Sequence, residues 1–358
     1  MFCTGTRFPI PPALAAEHIY IFEHSSGWDG QFYHYMAHDP FLAGRIWKYT
    51  DTPVLRYRRI LVPALAWLLV GGDSRRVDVA YHAVILLFFA LGAYWLSRLA
   101  ALYGHSRAWA LAFVAIPAAI ASMDRMAVDV ALAAFVLAFA WFAREGQKQW
   151  PLYWILMLAP LVRETGLLLV AAYCLWLLRR KRVRLAAAFA TAALPALAWF
   201  KYVDLRTPPF IYLSPVVLPF SGALHRLLHL TPYPSSLMVR SVVWGFDTLA
   251  VAGVLLAFAI ALPAARRTGW SPTGWAMLLF VLLGVFMWRP GDWPETSDYG
   301  RILSPLLILL AVEPLASRST SRLKWLPVAP LCMLAPRCAI QLAPQVLSLL
   351  GATAWIPR

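Results

Sequence analysis

Apolar residues in this chain come in solid blocks separated by short polar breaks, with little of the period-2 alternation that marks a half-buried strand. The blocks fall at 79–101, 108–123, 126–143, 150–162, 165–178, 185–201, 241–265, 273–288, 302–316 and 325–342. A last apolar stretch, 343–356, reads as a short span or an interfacial piece. A helix needs about 20 apolar residues to cross the hydrocarbon, with a range of roughly 17–25. The pattern predicts an all-α, polytopic transmembrane bundle of about 10–11 spans, several shorter than a full crossing, as in a bundle thinned at one mouth. A β-barrel is excluded, because its strands alternate apolar and polar residues.

The breaks carry charge with regular parity. With 79–101 as the first full crossing, Arg107, then Arg144 and Lys148, then Arg179-Arg180-Lys181-Arg182 with Arg184, then Arg266-Arg267, then Arg318, Arg322 and Lys324 all fall on one side. The positive-inside rule makes that side the cytoplasm. The alternate breaks hold Asp124, Glu164, Asp292, Glu295 and Asp298, and face outward together with Asp29 and Asp39. Two regions follow. Residues 1–78 form an outer-side N-terminal segment, and 79–358 form the bundle, with long outer loops at 202–240 and 289–301. In the first region, residues 10–22 are too short to span and contain Glu17 and His18. An outside placement then implies either a preceding signal-anchor helix that this chain lacks or a tail carried across with the first hairpin. Residues 60–72 (ILVPALAWLLVGG) read as an interfacial or re-entrant juxtamembrane helix in the outer leaflet.

Composition narrows the class further. The chain is 61% hydrophobic and 14% charged, against roughly a quarter charged in a soluble domain, which excludes a soluble enzyme and a disordered chain. Its net charge of +15 belongs with anionic lipid headgroups and a bound phosphate, with no nucleic acid required. Cys3, Cys174, Cys332 and Cys338 form no CxxC pair and read as packing residues.

Ionisable residues at membrane depth are costly, so each needs a reason. Asp124 and Asp129 flank the start of 126–143, and Arg163 and Glu164 sit in a minimal turn. For His82 and Asp247, taken singly, a buried ion pair or helix cap is the simpler reading. The strongest local signal is Gly27-Trp28-Asp29-Gly30-Gln31-Phe32-Tyr33. It reads as an aspartate on an exposed glycine turn followed by an amphipathic interfacial helix. Aromatic rings beside a carboxylate suit a sugar, and they equally suit an aromatic belt with an Asx turn. Arg56, Arg58 and Arg59 lie outside against the positive-inside bias, where a lipid-linked phosphate or the headgroups could partner them. His34 and His38 have the i, i+4 spacing of metal ligands, but the Glu of HExxH is absent, so the signal is weak and no metal is assigned. The Pro-rich loop 202–240 reads as an ordered lid, and 289–301 leads Tyr299 and Arg301 into the next helix. No Walker, GxGxxG or usable GxSxG motif occurs.

GWDGQFYHYMAHDPF, LRYRRILVPALAWLL, LVRETGLLL and SDYGRILSPLLILL, in that order over about residues 27–315, resemble bacterial integral-membrane proteins of the GT-C glycosyltransferase superfamily type. The resemblance implies a GT-C-like fold in a bacterial inner (cytoplasmic) membrane, with a multi-pass topology and an active site facing the periplasm or cell exterior. It implies transfer of a sugar from a polyprenyl-phosphate donor, with Asp29 as general base and Asp124 or Asp129 as second acid. Glu164 completes the candidate catalytic set. Arg58, Arg59 and Arg301 would contact phosphate, and Trp28, Gln31, Tyr33, Arg56, Arg163 and Tyr299 complete the substrate-binding candidates. An inverting transfer needs a carboxylate to deprotonate the acceptor and cations, or a divalent metal, to stabilise the departing phosphate. The cofactor is therefore left open between none and a divalent cation. The expected partners are the lipid-linked donor and membrane lipids, with a glycan or protein acceptor unnamed. The competing class is a transporter or flippase of a lipid-linked or anionic solute, which predicts polar residues through both leaflets. A non-catalytic envelope partner is the third reading, and it predicts no closed outer cavity.

Overall fold

The computed structural model describes residues 2, 4–15, 21–209, 218–233, 236–287, 293, 295–317 and 319–342. The stretch 343–356 and parts of the two long loops lie outside the described residues. A two-residue parallel pair, β1 (Thr4–Gly5) with β2 (Ile21–Phe22), opens the chain. Three short helices follow: α1 (Asp29–His38), α2 (Pro53–Arg58) and α3 (Leu61–Leu69). The bundle consists of α4 (Val77–Leu102), α5 (Pro117–Arg125), α6 (Asp129–Phe142), α7 (Gln149–Val162), α8 (Leu167–Arg179), α9 (Val183–Ala190), α10 (Leu194–Arg206), α11 (Ser221–Leu228), α12 (Leu237–Arg267), α13 (Pro272–Val285), α14 (Thr296–Ala316) and α15 (Ala329–Ile340).

Among the described residues, each of the ten apolar blocks folds as a helix or as two or three successive helical pieces. Length separates them. Val77–Leu102, Val183–Arg206, Leu237–Arg267, Thr296–Ala316 and Arg322–Ile340 are long and apolar enough to cross a membrane, five among the described residues. The 3-10 stretch Arg107–Ala115 and α5 make a sixth if counted as one span broken by 63°. Pro117, at the first position of α5, marks that break. The helices α6, α7 and α13 have 14 residues each, about 21 Å at 1.5 Å per residue, which is short of a hydrocarbon core of about 30 Å. Of the expected 10–11 spans, several of them read as shorter than a full crossing, five or six among the described residues are long and apolar enough to cross. The chain is an all-α, multi-pass membrane protein. Helix α3, with nine residues, is too short to span, as read from residues 60–72.

The bundle is centred on α14, whose apolar window is 78% buried against 22% for the 183–206 pair. Helix α6 packs beside α14 and is buried on nearly every side. Beyond Asp129 the helix is wholly apolar, and one so largely buried belongs to the interior of a larger bundle. Peripheral helices instead turn Leu86, Leu87, Leu194 and Leu197 outward, where lipid is the solvent that suits them. The short N-terminal helices pack against α4, α7 and α10, and their charged residues meet those at the starts of α6 and α14.

Candidate active site

The glycines of the first motif have distinct jobs. Gly27 adopts φ +64°, the left-handed turn that only glycine enters freely. Trp28 is extended and Asp29 opens α1. A Cβ on Gly30 would lie 2.0 Å from the carbonyl oxygen of Arg125, so glycine here lets the start of α1 press on the end of α5. Helix α1 is buried from Gly30 to Ala37 between β1, α3 and α4. It is therefore a buried strut, and the amphipathic interfacial helix expected from its aromatic run is not what forms.

Asp29 stands between two arginines from distant segments. Arg56 Nη2 lies 2.8 Å from Oδ1 and Arg301 Nη1 lies 2.6 Å from Oδ2. Arg301 continues to Asp298 at 3.5 Å and to Asp129 at 3.8 Å. Asp129 also accepts a hydrogen bond from Arg163. Arg56 makes a two-point contact with Asp51, at 2.8 and 2.7 Å. Arg59 grips Glu164 through both carboxylate oxygens, at 3.0 and 2.7 Å, and donates to the Tyr33 hydroxyl at 3.2 Å. Such forked contacts fix geometry as well as charge. The Arg163–Glu164 turn serves this network because Arg163 is extended (φ −158°, ψ 139°), ending α7 and sending the neighbouring side chains to different carboxylate and guanidinium partners.

Burial alone would push the Asp29 carboxyl up, but Arg301 and Arg56 hold it well below the usual carboxylate range. Glu164 follows the same logic, with burial opposed by Arg59, and is held down to about 2. Both are carboxylates at any physiological pH. Their arginines are correspondingly locked in the charged form.

A cavity of about 410 Å³ opens beside Asp29. Arg56, Arg59, Arg163 and Arg301 line it, with Asp51 and Asp298, and the rings of Trp28 and Phe32 form an apolar wall. The four guanidinium groups share a space large enough for a phosphate and a sugar ring, with the carboxylates of Asp29, Asp51 and Asp298 among them.

Several candidates stand elsewhere. Asp124 is one step behind the cavity: it pairs with Arg125, whose guanidinium lies 3.1 Å from the Trp28 ring centroid and reaches Glu295 at 3.2 Å. Gln31 is fully buried, accepting from the Gly5 amide and donating to the Ser26 carbonyl, so it braces the N-terminal segment and does not face the cavity. Arg58 points away to Asp204 at 2.7 Å. Tyr299 lies one helical face from Arg301, buried and stacked on Trp293, with its hydroxyl on Thr296. That places it in a second cluster around Asp247, which meets Arg226 at 2.7 Å and Arg337 at 2.9 Å. Asp247 is the buried ion pair that its position suggested. From loop 202–240, Arg226 and Tyr233 belong to the same cluster. Helix α11, through Arg226, is clasped to α12, and residues 218–233 do not line the Asp29 cavity, so the expected lid is absent from the described residues. His34 and His38 lie on another face of α1, against Asp78.

The sequence reading passed over Asp51, Phe32 and Asp298 as members of the site. Asp298 had a legible signal, three residues before Arg301 on one helix. Asp51 had none, because its pairing with Arg56 depends on the turn into α2. No protein-family model matches this chain, and no curated protein or solved structure matches it either.

Proposed function

We propose that this chain is a membrane glycosyltransferase of GT-C-like type. It transfers a sugar from a polyprenyl-phosphate donor to an acceptor on the outer face, with inversion and with Asp29 as general base. The observation that carries the reading is the Asp29 carboxylate, held by Arg56 and Arg301 in a cavity lined by four arginines with an aromatic wall. Arg56 and Arg301 have the geometry to donate to phosphate oxygens in place of the Asp29 carboxylate. A donor phosphate that takes over those guanidinium groups removes the charge that depresses Asp29, and so makes it a stronger base when the donor is present. Asp29 then takes the acceptor's proton as its oxygen attacks the anomeric carbon, and the phosphate leaves on the opposite face. Arg59 and Arg163 stabilise the charge that builds on the departing phosphate.

The test is transfer from a panel of radiolabelled polyprenyl-phospho-sugars by the purified protein in lipid nanodiscs. Transfer by the wild type and none by Asp29→Asn supports the reading. Undiminished transfer by Asp29→Asn refutes the base. The transporter alternative requires a polar path through the bundle. Residues 130–139 of α6 are all apolar, and on α14 residues 303–308 are apolar except Ser304, whose hydroxyl is engaged with Gly300 and Ala118. Uptake of an anionic solute into proteoliposomes without sugar transfer would favour that alternative.

A further inference from the structure

His34, His38 and Asp78 meet where α1 crosses the first turn of α4, outside the Asp29 cavity. The i, i+4 spacing puts both imidazoles on one face of α1. His34 Nε2 lies 2.9 Å from Asp78 Oδ1, His38 Nε2 lies 3.5 Å from the same oxygen, and the two Nε2 atoms are 3.2 Å apart. These three edges have the size that a bound ion imposes. Donors held about 2.0–2.1 Å from one ion at tetrahedral angles stand about 3.3–3.4 Å apart. An ion at that distance from all three atoms would sit about 0.8 Å above their plane, against about 0.7 Å for an ideal tetrahedral face.

The surroundings orient the donors. His38 Nδ1 is 2.6 Å from Ser74 Oγ. With the serine accepting from Nδ1–H, Nε2 keeps its lone pair and points it at the other two donors, the arrangement that outer partners of metal-bound histidines produce. His34 is buried and stacked on Phe2, with ring centroids 4.2 Å apart, so its ring is fixed. Two imidazole nitrogens and a carboxylate oxygen thus converge within 3.5 Å of one another, a donor set that one cation can bind together. The Asp78 side chain is 36% exposed, which leaves a fourth position open to water.

We infer that His34, His38 and Asp78 form a binding site for one first-row divalent ion of the zinc class, tying α1 to α4. Two imidazoles and one carboxylate suit Zn(II), Co(II) or Ni(II), whereas magnesium and calcium prefer oxygen-only sets. The ion would fix the helix whose first residue is Asp29 without touching the cavity. The inference stands independently of the proposed reaction.

The test uses tag-free protein in nanodiscs, stripped with a chelator and then dialysed against Zn(II) or Co(II). One Zn(II) per chain is expected, with intense visible absorption from the Co(II) form as in four-coordinate sites. His38→Gln and Asp78→Asn should each weaken binding by more than about 100-fold, and Ser74→Ala by about 10–100-fold. X-ray absorption on the Zn(II)-loaded wild type should resolve two imidazoles, a readout that requires no variant to fold. Failure to retain metal at one per chain, undiminished binding in the His38→Gln/Asp78→Asn double variant, or a spectrum without imidazole ligands would overturn the site.

Discussion

Two cavities lie at opposite ends of α6 and α14, and they differ in a way that volume does not capture. The one at the arginine-rich loop end is larger, about 660 Å³ against about 410 Å³ beside Asp29. Along α14 the two ends, at Glu313 and Arg301, are separated by about 18 Å of helix at 1.5 Å per residue. The larger cavity is also rich in ions, with Arg144, Glu145, Arg180, Arg267 and Glu313. Its Arg180–Glu145 pair, however, has side chains 47% and 63% exposed, and Arg267 is 52% exposed. At the Asp29 end, the Asp129 and Arg163 side chains are 2% and 6% exposed, and Arg56 and Arg301 stay at or below 15%. Solvated pairs contribute little and tolerate change. Buried ones are costly to assemble and persist in structures that need them. Paired and buried charge, more than cavity size, sets the Asp29 end apart from the other.

The contrast can be broken most sharply at Asp29. Asp29→Asn should lower sugar transfer by about 10²–10⁴-fold, the usual worth of a general base. The fold should survive, because Arg56 keeps Asp51 and Arg301 keeps Asp298 and Asp129. Transfer rates read against an unchanged gel-filtration profile check both halves.

Asp129→Asn should damage stability itself, since it strips Arg163 of its buried partner. Breaking such a pair costs about 3–5 kcal/mol. Thermal unfolding in detergent should show a clear drop, and a midpoint equal to wild type would mean that the pair is hydrated and the contrast between the two ends is false.

Neighbouring arginines should separate the cavity from its surroundings. Arg59→Ala should raise the KM for the donor, whereas Arg58→Ala, with its side chain on Asp204, should leave it unchanged. Equal KM effects from the two would spread the phosphate site beyond the cavity described.

The pH dependence tests the Asp29 clamp. Its native value lies below the ordinary value of about 3.9, so the stability it contributes is present above that value and is lost as pH falls through the lowered one. The acid limb of kcat/KM should therefore lie below about pH 4 in the wild type. Arg56→Gln removes one cation, lets burial push the carboxyl up, and should move that limb to higher pH. An unmoved limb would remove Asp29 from the rate equation. The smallest effect belongs to the other end, where Glu145→Ala should change stability by no more than about 1 kcal/mol.

Part of this molecule is written locally and part is not. The apolar blocks determine where the helices lie, because a backbone without water must satisfy its own hydrogen bonds, whatever its neighbours are. Pro117, the Gly27 turn and the short length of α3 are local as well. The sequence also shows that Asp29, Arg56, Arg59, Glu164 and Arg301 are unusual, since a charge beside apolar blocks needs a partner. It does not say which partner. Asp29 meets Arg56 and Arg301, Arg163 meets Asp129, and Arg59 meets Glu164, while the equally eligible Arg58 and Tyr299 turn to Asp204 and the Asp247 cluster. Those choices follow from which helix faces meet at the end of α6 and α14. Arg58 closes α2 while Arg59 has already left the helical conformation (φ −93°, ψ 56°), so these adjacent residues reach different partners. The burial of α1 and the meeting of His34 and His38 with Asp78 were decided in the same way, by packing between segments that the chain keeps apart.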